Sequence, residues 1–179
     1  DEVDTTPGLA RLKEKFGLSS ELIGSFTNPY VYLNAEAIVD AGLNKEEVEA
    51  AVASELQKLP GIALAVSSSA LRGGALPDTM INRAVSANFH PDRSGDIYVV
   101  FEPNWFVADF DGLTVASAHG SPWTYDSHVP IIIAGAGITP KIVSRRVETV
   151  DVAVTIAAKM RTKQPSGAVG VPLIEVLEP

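Results

Sequence analysis

His119-Gly-Ser-Pro-Trp-Thr-Tyr-Asp-Ser-His128-Val-Pro-Ile-Ile-Ile-Ala-Gly135 is the stretch whose reading decides the fold. Two of the chain's 3 histidines lie here, in a loop rich in Gly, Pro and Ser. Val129-Pro130 follows, and then Ile131, Ile132 and Ile133, an apolar β-branched run that predicts a buried strand through Ala134. A histidine at the lip of such a strand is held by rigid backbone and can still present a ring nitrogen to a cleft. That suits a metal ligand, because a neutral, oriented imidazole binds zinc well. Zinc takes four protein ligands, or three and a water, so His128 needs partners.

Working outward, the chain is 179 residues long, the size of one ordinary domain, able to bury roughly 70% of its unfolded surface. Residues 1–179 are therefore read as one portion of a domain without an internal boundary. An apolar content of 46% fits a globular core. No apolar run reaches the ~20 residues of a membrane-spanning helix. The net charge of −8 disfavours nucleic-acid binding, which relies on basic side chains to neutralise phosphates. The short basic cluster from Lys141 to Arg146 reads as a solvated edge. With 0 cysteines there are no disulfides, thiolate zinc sites or cysteine nucleophiles, a composition compatible with an exported bacterial protein. The chain opens at Asp1 with no signal peptide, which reads as a processed or trimmed start.

Elements alternate along the chain. Leu9, Leu12 and Phe16 predict a short amphipathic helix stopped by Gly17. Tyr30–Leu33 reads as a strand. Asn44 and Glu47 form a capping-box variant ahead of a helix carrying Val48, Val52, Leu56 and Leu59, which Pro60-Gly61 ends. Gly61–Val66 predicts a strand and Leu71–Ala75 a loop. Met80, Ile81, Ala84, Val85 and Phe89 form one helical face, starting near Pro77 or Asp78. Asp96–Phe101 reads as a buried strand although it alternates poorly, and Asp109–Gly112 as a turn. Gly135–Pro140 is a loop, and Asp151 is the expected N-cap of a last helix running to about Lys159. Such alternation argues for α/β layers around a mainly parallel or mixed sheet.

Several chemistries are excluded by their motifs. Gly135-Ala-Gly137 lacks the third glycine and the immediate helix of a dinucleotide fingerprint. Gly-x-Ser-x-Gly does not occur, and Arg93-Ser-Gly-Asp96 reads as a turn feeding the Ile97 strand. Thr5 and Thr6 read as a helix entry rather than as nucleophiles. His90, at a helix-to-loop junction, is favoured there by the helix dipole. His119 either orients the loop or points at the same cleft as His128.

Tyr125-Asp-Ser-His-Val-Pro130, preceded by His119-Gly-Ser-Pro and followed by an apolar run ending Ala-Gly-Ala-Gly-Ile138, resembles the C-terminal part of the alkaline phosphatase superfamily. The branch it resembles is the type I phosphodiesterase/nucleotide pyrophosphatase-like group of bacterial alkaline phosphatases. Arg93–Asp96 and Val147–Ala158 are similar to that branch too, although Val154 stands where the family usually has proline. The resemblance runs from about Tyr30 to Leu177. It implies an incomplete alkaline phosphatase-like α/β fold and a hydrolase of phosphate esters with two zinc ions clamping an in-line displacement.

The same resemblance makes His128 alone a zinc ligand; beside it, His119 and Asp126 are read as second-shell or loop-orienting residues. The family's other ligands are an Asp and a His four residues apart, an Asp-His pair, a further Asp and a Thr or Ser nucleophile, and none has a counterpart here. The chain is thus expected to be a C-terminal fragment, inactive alone, of a phosphomonoesterase or phosphodiesterase that is periplasmic or secreted. Sulfatases, phosphonoacetate hydrolases and phosphoglycerate mutases share the same plan. The alternatives are a non-catalytic binding or interaction module on the same scaffold, and a small-molecule-binding α/β domain with both histidines in a polar cleft. A fragment would expose apolar patches and self-associate.

Overall fold

The computed structural model describes residues 6–110 and 112–178. The chain divides into two compact units, Asp1–His128 and Val129–Pro179.

The first unit runs α1 (Pro7–Lys15), β1 (Ile23–Thr27), β2 (Tyr30–Leu33), α2 (Ala35–Asp40), α3 (Lys45–Leu56), β3 (Ile62–Ser67), α4 (Ser68–Gly73), α5 (Met80–Asn88), β4 (Ile97–Phe101), β5 (Asp109–Phe110), β6 (Leu113–Thr114) and α6 (Thr124–Ser127). Pro7 occupies the first turn of α1, where a missing N–H costs nothing. Asn44 caps α3 as expected, its Oδ1 accepting from the Glu47 N–H at 3.1 Å.

Four strands form one sheet in the order β1-β2-β4-β3, and every pairing in it is antiparallel. The α/β character holds, but the strands of this sheet are not parallel. Helices between strands do not by themselves fix direction: β1 and β2 are joined by a two-residue turn at Asn28-Pro29, which can only produce an antiparallel pair. The poor alternation of β4 has a plain cause. Ile97 and Val99 pack with Leu9, Val48, Val52 and Leu56 from α1 and α3, while Tyr98 and Val100 pack with Val85 of α5. A strand covered on both faces has no polar side to display. Burial of each such aliphatic side chain contributes about 1.5–3 kcal/mol.

One charged group sits inside this core. Glu49, on α3, is fully buried. Its carboxylate accepts from the Ser69 N–H at 3.0 Å, and both its oxygens lie 3.4 Å from Ser68 Oγ. Lys45 Nζ and Arg72 lie 3.8 and 3.9 Å away. Lys45 also reaches Asp96 at 2.6 Å, and the other Asp96 oxygen accepts from the Leu33 N–H at 2.8 Å. One connected network therefore ties α3 to α4, to the end of β2 and to the start of β4.

Other expectations shift in detail. Leu71–Ala75 is not all loop: Ser67 Oγ accepts from the Ala70 N–H and starts α4, which ends at Gly74 with φ +62. Helix α5 is capped by Thr79 rather than by Pro77 or Asp78, and Met80 faces solvent. The turn read at Asp109–Gly112 closes the β5–β6 pair, with Asp111 outside the described residues, as is Thr5. His90 is structural, its Nδ1 accepting from the Asp92 N–H.

The second unit contains α7 (Asp151–Lys159) and α8 (Ile174–Leu177). Asp151 does not cap its own helix. Its two oxygens accept from the N–H groups of Glu148 and Val171, and Thr155 Oγ1 accepts from the Leu173 N–H at 2.8 Å. Both bonds pin the returning chain onto α7, and Gly170 lies so close to the Val150 carbonyl that a side chain there would collide with it. Arg145 pairs twice with Glu175. The strand expected at Ile131–Ala134 is absent: this run is unpaired, and Ile132 is 86% exposed. The composition is that of a buried strand, but a strand exists only where a neighbour supplies the ladder, and none does among the described residues. Nor is any described helix long and apolar enough to cross a membrane.

Replacing Glu49 with Ala leaves the buried Ser68 hydroxyl and the Ser69 N–H without their acceptor, and is expected to destabilise the chain by about 3 kcal/mol in urea unfolding. Glu175 behaves differently. Its bonds from Arg145 hold its carboxyl down at about 2, against an ordinary 4.5. Because the folded value is the lower one, the stabilisation is complete above the ordinary value and disappears as pH falls from there through the folded value. Thermal melts across that window should show the loss, and Glu175→Gln should flatten it.

Candidate functional site

The histidine loop hangs from the end of β4. Trp123 Nε1–H donates to the Phe101 carbonyl, the last of the strand, at 2.9 Å. Trp123 also packs against Tyr98, Val100 and Val85. Tyr125 Oη accepts from the Asn104 N–H at 3.0 Å, and Asn104 holds the left-handed φ of +66 that turns the chain there. These contacts place the single turn of α6 by the C-terminal end of β4, with His128 as its C-cap, the His128 N–H donating to the Thr124 carbonyl.

Asp126 is the best-anchored polar group of the loop. One of its oxygens accepts from both the Ser121 hydroxyl at 2.6 Å and the Ser121 N–H at 2.9 Å. The Ser121 hydroxyl is the main reason its carboxyl lies below the ordinary range. The Ser121 N–H acts in the same direction, opposed by partial burial, and His119 adds the smallest effect. His119 and His128 are both exposed.

A zinc ion needs more than this. Among the described residues, no group of three or more His, Cys, Asp or Glu side chains is placed to hold a metal ion. The donors present do not make a complete site. Asn104, Ser121 and Trp123, which shape the loop, carry no motif of their own. Trp123 and Ser121 lie inside the quoted stretch, but their partners become visible only once the chain is folded.

No family model matches the chain. It is 33% identical over 168 residues to a protein of Myroides odoratus named calcium-transporting ATPase, covering 94% of this chain and 30% of that one. It is 30% identical over 168 residues to alkaline phosphatase PafA of Elizabethkingia meningoseptica, with the same 94% and 30% coverage. A crystal structure of wild-type alkaline phosphatase PafA matches with a TM-score of 0.77 at 29% identity, over 93% of this chain and 31% of that one. Sequence and fold agree in likening nearly the whole chain to a segment of an alkaline phosphatase. The chain belongs to the alkaline phosphatase superfamily and spans about 30% of the length of the curated relatives it matches.

Ser121→Ala removes the hydroxyl that chiefly holds Asp126 ionised. The Asp126 carboxyl should then titrate closer to its ordinary value, as read by carboxyl-carbon NMR. The order of the wild-type loop should be complete above that ordinary value and decline as pH falls through the depressed folded one.

Proposed function

We propose that this chain is the C-terminal portion of the catalytic domain of a zinc-dependent phosphate-ester hydrolase, a phosphomonoesterase or phosphodiesterase acting in the periplasm or outside the cell. The observation that carries this reading is the PafA likeness, in sequence over 168 residues and in fold at a TM-score of 0.77. The names of the relatives, alkaline phosphatase and calcium-transporting ATPase, share the hydrolysis of a phosphoryl group.

His128 supplies one zinc ligand, and His119 and Asp126 orient the loop that carries it. Zinc would supply the Lewis acid that polarises the phosphoryl oxygens and activates a nucleophile. This chain's own residues bind and position: Ser121 fixes Asp126, and Asn104 and Phe101 fix the turn ending at His128. Nothing in the described residues serves as nucleophile or as a full ligand set, so the chain alone is inactive, and its exposed Ile132 and Ile142 favour self-association.

The purified 179-residue chain is expected to show no zinc-dependent turnover of an aryl phosphate, and measurable turnover would overturn the inactivity. In the longer hydrolase, His128→Ala should remove bound zinc and lower kcat by at least about a hundredfold, and Asp126→Asn by about 10–100-fold. Zinc kept in full in His128→Ala would overturn its role as a ligand.

A further inference from the structure

The place of His128 is set by what holds α6, because the histidine itself is exposed and a single helical turn has little stability of its own. That turn is built on Trp123. It is the N-cap of α6, and its carbonyl accepts from the N–H groups of Asp126 at 3.0 Å and Ser127 at 2.9 Å. Whatever fixes Trp123 therefore fixes the backbone that leads into His128.

The indole is fixed at one particular rung of the sheet. Along β4, backbone groups of successive residues turn to alternate neighbours. The Val99 N–H donates to the Pro29 carbonyl on the β2 side, and the Glu102 N–H donates to the Gly61 carbonyl on the β3 side. Phe101 follows Val99 on the β2 side, but β2 begins only at Tyr30, opposite Tyr98. No β2 residue stands opposite Phe101. Trp123 Nε1–H takes the Phe101 carbonyl at 2.9 Å, so a side chain supplies the bond that the ladder stops short of. Its ring packs at the same time with Tyr98, Val100 and Val85.

Tyr125 adds a second hold, its hydroxyl accepting from the Asn104 N–H just past the end of β4. The bonds between Asp126 and Ser121 differ in kind. Both ends lie inside the loop, so they shape it without locating it on the sheet.

We infer that Trp123 is a positioning residue for His128: its indole, bound to the open rung at Phe101, sets where the histidine stands relative to the sheet, with the Tyr125 hydroxyl as the second hold. That this position serves a zinc ion rests on the hydrolase reading above; the positioning itself does not.

The first test uses the 179-residue chain without zinc. Trp123→Phe keeps a ring in the packing and removes the N–H. Amide hydrogen exchange at His128, whose N–H is held by Thr124, should quicken about fivefold, while the β4 amides keep their wild-type rates. A merely structural loss would quicken both. Tyr125→Phe, which removes one hydroxyl, should quicken His128 about threefold, and it must do so even if Trp123→Phe fails to fold.

In the longer hydrolase, Trp123→Phe should hold zinc about tenfold less tightly against a chelator, and added zinc should restore kcat with KM unchanged. Three results would each overturn the positioning role: unchanged exchange at His128, equal quickening throughout β4, or undiminished zinc affinity beside a loosened His128. A wild-type hydrolase that binds no zinc would instead overturn the hydrolase reading, and the exchange rates would still decide whether Trp123 positions His128.

Discussion

A carboxylate enclosed among aliphatic side chains is the constraint from which the first unit takes its arrangement. Glu49 projects from the face of α3 that also presents Val48, Val52 and Leu56 to the sheet, where a charge costs several kcal/mol unless it is compensated. Compensation comes from the two helices and the strands around it: Lys45 from its own helix, Ser68, the Ser69 N–H and Arg72 from α4, and Asp96 through the shared Lys45. Because Asp96 also holds the Leu33 N–H, the network fixes where β2 ends and where β4 begins. An apolar residue in place of Glu49 would fill the same space, but without the directional bonds to the Ser69 N–H and the Ser68 hydroxyl. The directional bonds specify one docking, and the histidine loop is built on the far end of the strand so placed.

Much of this was legible in the sequence, for reasons that are local. Pro7, Asn44 and Gly17 punctuate helices by backbone chemistry alone, and each acts where its residue type says it should. Strand β2 and helix α3 follow from periodicity. What the sequence left open depends on partners far along the chain. Strand direction is one case, since the same order of helices and strands serves parallel and antiparallel sheets. The Ile131–Ile133 run is another, because β-branched residues state a preference for a ladder without providing one. Strand β1, read as Ile-Gly-Ser-Phe-Thr, has an exposed face and too weak a pattern to be found without β2 beside it.

The site was legible to a different degree. The stretch from His119 to His128 pointed to the right superfamily, and its one best-defined carboxylate, Asp126, lies within it. The residues that give the loop its shape were hidden, because Trp123 finds its acceptor 22 residues away and Tyr125 finds its donor 21 residues away. Side-chain-to-backbone bonds of this length have no sequence signature. They are also the reason that a loop rich in Gly, Pro and Ser can hold one conformation at all.

The bond from Trp123 to Phe101 closes a loop of 22 residues in a chain with no cysteine. Closing a segment of that length removes conformational entropy from whatever it spans, the service that a disulfide renders in many proteins exposed to oxidising surroundings. Here an indole and a carbonyl perform it. The clasp is insensitive to thiols, and it opens and closes without any covalent step. The histidine loop therefore keeps the same restraint whatever the thiol–disulfide balance around it.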